Sequence, residues 1–276
     1  MQVEKSIRIF QESIQLDSIP LNRSVQVDLC WPVSSSPDAG AILPGGISLL
    51  LINDGQDLGR LGLAEILDDL YGRDLLTPLL CAGIHAGPER IMEYGTVPTP
   101  ECQGRGARAA DYTRCVLEEV IPAIRRRFQS VQFKEKAMAG FSLGALSAMD
   151  IIWNHPQEFA RAGLFSGSFW WRTRDKTDPE YNERTDRIMQ CQVRNGGYYP
   201  WLKFFFECGT EDEQEDRNGN GIIDSIDDTQ DLIKELVLKG YVAGMDIRYL
   251  EIAGGHHDVD TWAGAMPEFL LWGWKK

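Results

Sequence analysis

Gly140-Phe141-Ser142-Leu143-Gly144 decides how this chain is read. It follows Lys136-Ala137-Met138-Ala139, which reads as the end of a strand. It precedes Ala145-Leu146-Ser147-Ala148-Met149-Asp150-Ile151-Ile152-Trp153, which reads as a helix. A serine at a sharp strand-to-helix turn, with glycine two residues to either side, has the form of a nucleophile elbow. The turn strains the serine backbone and pushes its hydroxyl out above the sheet. A side chain at either flanking position would collide where strand and helix nearly touch, so glycine is required at both. The helix N-terminus turns free amides toward an oxygen that becomes negative during acyl transfer, which makes the backbone N–H of Leu143 a candidate oxyanion donor. The pattern alone is weak in a chain with 27 glycines. The strand before it and the helix after it give it weight, and an acid and a histidine should follow in that order.

Outward from the elbow, strand and helix patterns alternate. Arg23 to Cys30 alternates like a half-buried strand, and 34–46 is turn-rich and reads as a surface loop. Ile47 to Ile52 and Leu79 to Ile84 are continuous apolar runs, as expected of strands covered on both faces. Leu61 to Leu70 reads as a helix, and Ala107 to Phe128 as one long helix bent near Pro122. Ala162 to Phe165, Leu202 to Glu207 and Asp246 to Ile252 read as further strands, with helices over Asp231 to Lys239 and Met266 to Trp274. The stretch from Trp170 to Pro200 is polar and irregular, and is expected to cap the site. The alternation predicts an α/β-hydrolase fold, a mainly parallel twisted sheet with helices on both faces, built as one domain over 1–276.

Composition narrows the partners. The formal charge is −13, which argues against nucleic acid and anionic membrane surfaces. No run of apolar residues is long enough to span a bilayer. Met1 to Ser6 lacks the basic and then apolar signature of a secretory leader, which favours a cytoplasmic location. Six cysteines without C-x-x-C spacing read as mostly buried, reduced thiols. The charge is unevenly spread: between Glu207 and Asp231 stand ten carboxylates and one arginine.

Past the strand that contains Glu207 comes Gly209-Thr210-Glu211-Asp212, and past the last strand comes Gly254-Gly255-His256-His257-Asp258. Serine, acid and histidine thus occur in the α/β-hydrolase order, each at the C-terminal edge of a strand. Ser142 is the expected nucleophile and Asp212 the expected acid, with Glu211 as its alternative. His257 and His256 compete as the base that takes the serine proton and returns it to the leaving alcohol. The amide of Gln56, in the loop after an early strand, is the second oxyanion candidate. His85 reads as a neutral loop histidine and His155, before Pro156, as structural.

These residues together resemble the putative esterase family of α/β-hydrolases, which includes enterochelin esterases, feruloyl esterase domains and mycolyltransferases. The resemblance runs from about Val25 to Phe269. Asp54-Gly55-Gln56 looks like the family's Asp-Gly loop, which implies an oxyanion amide at Gln56. Arg90-Ile91-Met92-Glu93-Tyr94 looks like its Arg-x-x-Glu-Tyr segment. Ser166 to Trp171 is similar to a stretch in enterochelin esterases, where Phe169, Trp170 and Trp171 either line a pocket or pack beneath the cap. The family places a tryptophan five residues after its catalytic histidine. Trp262 stands five after His257, which selects His257 over His256. The resemblance implies a serine esterase acting on a small-molecule ester. Its alternatives are an acyltransferase with the same triad or a non-catalytic binding protein on the same fold.

A second motif overlaps the acidic stretch. Asp216-Arg217-Asn218-Gly219-Asn220-Gly221-Ile222-Ile223-Asp224-Ser225-Ile226-Asp227 carries oxygen donors at positions 1, 3, 5, 9 and 12, with glycine at 6. That is the pattern of an EF-hand calcium loop of the dockerin kind. The expected ligands are Asp216, Asn218, Asn220, the Ile222 carbonyl, Asp224 and Asp227. The expected role of Ca²⁺ is structural, ordering an insertion at about 213–228 that follows the acid. No organic cofactor is expected.

Overall fold

The computed structural model of the chain describes residues 7–34, 46–97 and 99–276. Most of the turn-rich stretch 34–46 and the first six residues therefore lie outside the described residues. Eight strands form one sheet in the order β1-β2-β4-β3-β5-β6-β7-β8. They are β1 (Ile7–Ser18), β2 (Arg23–Ser34), β3 (Ile47–Asn53), β4 (Leu79–Ile84), β5 (Phe133–Phe141), β6 (Arg161–Phe165), β7 (Lys203–Glu211) and β8 (Ile247–His256). The pairings from β4 through β3 to β8 are parallel, and β1 and β2 add an antiparallel flank. This is the α/β-hydrolase architecture expected.

Strand β3 shows why an unbroken apolar run makes a central strand. Ile47, Leu49 and Leu51 join the core on one face, while Leu50 and Ile52 join the core on the other. Alternate side chains point to opposite faces, so only a residue series apolar at every position satisfies both. One core packs under α2 (Ala109–Arg114, a π segment Cys115–Val120, then Ile121–Arg127) and α3 (Leu143–Asn154), with α4 (Ile188–Asn195) and α5 (Asp224–Lys239) alongside. The other packs under α1 (Leu63–Gly72) and α6 (Val259–Trp274).

Four expectations change in detail. The long helix bent near Pro122 is present, but a π segment precedes the proline and widens the turn where its ring and missing N–H disturb the backbone. Helix α5 begins at Asp224, ahead of the expected Asp231. Helix α6 begins at Val259, capped by the Asp258 carboxylate on the Thr261 N–H at 2.9 Å, and Pro267 lies inside it. Strand β1 has no counterpart in the sequence reading. All six cysteines are unpaired, four of them buried. Among the described residues no helix is long and apolar enough to cross a membrane.

Candidate active site

Ser142 sits between β5 and α3 with φ 55° and ψ −122°, a strained conformation for a residue that carries a side chain. Its N–H donates to the Phe165 carbonyl of β6 at 2.9 Å, which pins the turn to the sheet. The two glycines answer to different neighbours. A Cβ on Gly140 would fall on the backbone of Gly144, as the elbow requires. A Cβ on Gly144 would instead stand 2.8 Å from Asp54 Oδ2 and 3.1 Å from the Asn53 Cβ, at the end of β3. Asn53 Nδ2 donates to the Gly144 carbonyl at 2.7 Å, and Tyr112 holds the other end of that amide at 2.6 Å. The elbow and the loop after β3 are thus locked together.

That loop carries Gln56. Asp54 is left-handed at φ 60°, and Gly55–Asp57 form a single 3₁₀ turn. Arg90 grips both oxygens of Asp54, at 2.7 and 2.8 Å, and lies over the Tyr94 ring. The Asp54 N–H donates to the Tyr94 hydroxyl at 3.1 Å. Glu93, fully buried, is held by Arg23. Every polar residue of the Arg90-to-Tyr94 segment therefore holds a fixed partner. The N–H groups of Leu143 and Gln56 lie in the first turn of α3 and in the 3₁₀ turn, where no intrahelical acceptor exists.

Ser142, Leu143, Asp212 and His257 line one cavity of about 340 Å³. Gln56 is not in its lining. His257 is open to solvent on one side and meets Trp262 edge-on at 5.4 Å between ring centres. Crowding on its cavity side lowers its pKa, an effect larger than the opposing pull of Asp212. Burial raises the pKa of Asp212, against the Ser166 hydroxyl and the His257 ring, which lower it. Both Asp212 oxygens are shielded and have no hydrogen-bond partner of good geometry. Ser142 Oγ lies 3.4 Å from Ser168 Oγ. Among the described residues His257 makes no hydrogen bond to Ser142 or Asp212, a looseness common before substrate binds.

The alternative acid and base sit elsewhere. Glu211 and His256 are paired across β7 and β8, with the imidazole 3.5 Å from the carboxylate and both side chains in solvent. His85 is bound at 2.7 Å to Asp28. Phe169 and Trp171 are fully buried, and Trp170 alone of the three aromatics lines the cavity.

Three residues beneath the site escaped the sequence reading in this role. Trp262 Nε1 donates to Ser166 Oγ at 2.9 Å, and Ser166 is itself left-handed at φ 44°. Glu207 on β7 is fully buried, with one oxygen 3.5 Å from the same hydroxyl. Burial first, and Asp212 second, push the Glu207 carboxyl up to about 8. A buried polar residue within an apolar strand is the signal that could have found it.

The insertion after Asp212 gathers four of the expected calcium ligands. Asn218 and Asn220 amides lie 2.8 and 2.9 Å from Asp227 Oδ2, and Asp216 accepts from the N–H groups of Asn220 and Gly221 at 3.2 and 2.8 Å. Gly221, at position 6, has φ 84°. Asp224 turns instead to Arg217, accepting from its N–H at 2.8 Å. Among the described residues no three His, Cys, Asp or Glu side chains converge on one point. Arg217 also reaches Asp228 at 2.6 Å, and Arg187, just before α4, reaches the same carboxylate at 2.7 Å.

Comparison with known proteins gives the chain a family and its fold a set of relatives. The family described as "Putative esterase" matches residues 22–272. An uncharacterized protein, YbbA of Bacillus subtilis, is 28% identical over 155 residues, which are 54% of this chain and 59% of that protein. The iron(III) enterobactin esterase of Dickeya dadantii is 27% identical over 167 residues, 59% of this chain and 35% of that protein. The crystal structure of enterochelin esterase from Shigella flexneri superposes with a TM-score of 0.70 at 18% identity, covering 95% of this chain and 57% of the other. The chain thus spans less than two thirds of the length of each, and the structural likeness speaks for the fold.

Proposed function

Because the chain belongs to the Putative esterase family, we propose that it hydrolyses small-molecule carboxylic esters, with Ser142 as nucleophile, His257 as base and Asp212 as the acid that orients it. The observation that carries this is a strained serine, at φ 55° between strand and helix, opening on the same cavity as an imidazole and a shielded carboxylate. Ser142 Oγ attacks the ester carbonyl while His257 takes its proton, forming a C–O bond and a tetrahedral oxyanion. The oxyanion is held by the amides of Leu143 and Gln56, each such donor contributing about 10²–10³ in rate. Collapse breaks the bond to the leaving alcohol, which receives the proton from His257, and water then cleaves the acyl-enzyme by the same route. The lowered pKa of His257 keeps its ring neutral, as a base must be. The unpartnered Asp212 oxygens are ready to accept the imidazole N–H. The mutual pairing of His256 and Glu211 in solvent favours His257 and Asp212 in these roles.

Hydrolysis of p-nitrophenyl acetate by wild type, Ser142→Ala, His257→Ala and His256→Ala tests this. The first two substitutions are expected to lower kcat by about 10⁴-fold or more and the third by less than about tenfold. No turnover by the wild type, or an undiminished rate in Ser142→Ala, overturns the reading. Product analysis with added alcohols separates hydrolysis from acyl transfer.

Calcium belongs to the same proposal. The side chains of Asp216, Asn218, Asn220 and Asp227 supply hard oxygens on one short loop, and Ile222 offers its carbonyl, a donor set suited to Ca²⁺. Asp224 joins them through water or stays with Arg217. A bound cation would offset the charge of its own ligands, Asp216 and Asp227, and fix the segment between Asp212 and α5. Calorimetric titration of the metal-stripped protein with CaCl₂ reads this without reference to activity: saturable binding that Asp216→Ala abolishes is expected, and no binding heat overturns it.

A further inference from the structure

The cavity at Ser142 is unevenly charged. Its lining includes two carboxylates, Asp212 and Glu213, and one imidazole, but no lysine or arginine. The arginine that influences His257, Arg90, is already bound at both ends of its guanidinium fork by Asp54. Asp212 is committed to the imidazole in the mechanism above, so Glu213 is the surplus charge. Its position is fixed: Oε1 accepts the N–H of Ser225, in the first turn of α5, at 2.5 Å. Among the described residues no cation forms an ion pair with it. Burial raises its pKa, the Ser225 N–H opposes that, and Asp224, Asp228 and Glu215 nearby add to it. The Ser225 hydroxyl, on the same wall of the cavity, also has no protein partner.

Resting on the esterase reading, we infer that Glu213 is a specificity-determining residue: it forms a charge-selective wall of the cavity, admitting esters that present an ammonium or other hydrogen-bond-donating group there and repelling those that present an anion. The physical basis is general. A half-buried carboxylate without a counter-ion is screened less than a surface one, so a ligand cation gains and a ligand anion loses. Discrimination of this kind comes largely from the repulsive member of the pair. The substrate class is then neutral or cationic esters rich in hydrogen-bond donors, as in amino-alcohol, amino-acyl or polyol esters.

The test compares three p-nitrophenyl esters of matched length: the hexanoate, its 6-amino derivative and its 6-carboxylate counterpart. At low ionic strength kcat/KM is expected to rank amino, neutral, carboxylate, with about tenfold between neighbours. The amino-to-carboxylate ratio should shrink in 0.5 M NaCl, roughly one tenth of the low-salt value, because exposed parts of the interaction are screened. In Glu213→Gln the ratio should fall to about threefold or less. A ratio near one in the wild type, or one unchanged in Glu213→Gln, overturns the inference; if that variant fails to fold, the salt series on the wild type decides. If the wild type hydrolyses none of the three, the esterase reading fails by itself. The wall is then read by calorimetry on the Ser142→Ala protein, where hexylamine should bind more tightly than hexanoate, and equal or reversed affinities overturn it.

Discussion

The elbow at Ser142 and the excursion from Asp212 to Asp228 reach the same cavity by opposite means. The elbow is fixed by crowding: Gly140 against Gly144, Gly144 against Asp54, and flanking residues of β5 and α3 that are almost all buried. The excursion is fixed by charge. It is held by Asp216, Asn218, Asn220 and Asp227 bonding one another, and by Arg217 spread over Asp224 and Asp228. Crowding is insensitive to solvent composition, since no ion in solution replaces a van der Waals contact. Charge is sensitive to pH, salt and metal. The nucleophile therefore rests on the part of the molecule that solution conditions do not reach, and the acid is followed by the part that they do.

The sharpest way to break this contrast is Gly140→Ala. The added methyl would overlap backbone that has nowhere to go, so activity on p-nitrophenyl acetate should fall at least about 10²-fold and Tm by roughly 2–6 °C, as overpacking of about 1–3 kcal/mol implies. Near-wild-type values of both would mean that the elbow is not sterically determined. Chelation with EGTA should act on the other region. If calcium binds as proposed, its removal from a solution at about a hundred times Kd costs about 2.7 kcal/mol, read as a lower Tm, and Asp216→Ala should already show the lower value without chelator. An unmoved melting curve would leave charge pairing within the loop as its whole support.

The smallest effect concerns Glu207, a charge-bearing residue placed inside the crowded region. Its folded pKa of about 8 lies above its ordinary 4.5, so the folded state holds a proton that the unfolded chain releases. The stability that this supplies is present below about 4.5 and lost as pH rises toward about 8. Glu207→Gln should flatten the decline of Tm across that window. Asp150, pushed up to about 7 by burial, gives a residual slope of the same sign in both proteins. Parallel Tm-against-pH curves for the two would show that Glu207 is not protonated in the folded state.

What the sequence disclosed follows the same division. The elbow and strands β3 and β4 were legible because steric demands act on neighbouring residues: glycines two apart, apolar side chains at every position. Strand β1 was not, because Ile7 to Ser18 is an edge strand that half exposes alternate residues and carries polar groups on both faces. The Arg90 grip on Asp54 joins residues 36 apart in the chain, and a resemblance flagged the arginine without its partner. Glu207 and Ser166 meet only through the pairing of β6 with β7, which spacing does not encode. The calcium pattern was readable as a pattern; the turning of Asp224 toward Arg217 was not, since it depends on where the loop brings that residue's backbone N–H and guanidinium.

Asp228 is fully buried, yet two guanidinium groups converge on it, Arg187 from the segment before α4 and Arg217 from the hoop of chain after Asp212. The two segments share that one carboxylate, and Glu183 binds both arginines as well, so they ought to loosen in a single cooperative event. Limited proteolysis on a warming ramp would see it as nicks in 172–186 and 216–222 arriving together, well before the central sheet yields.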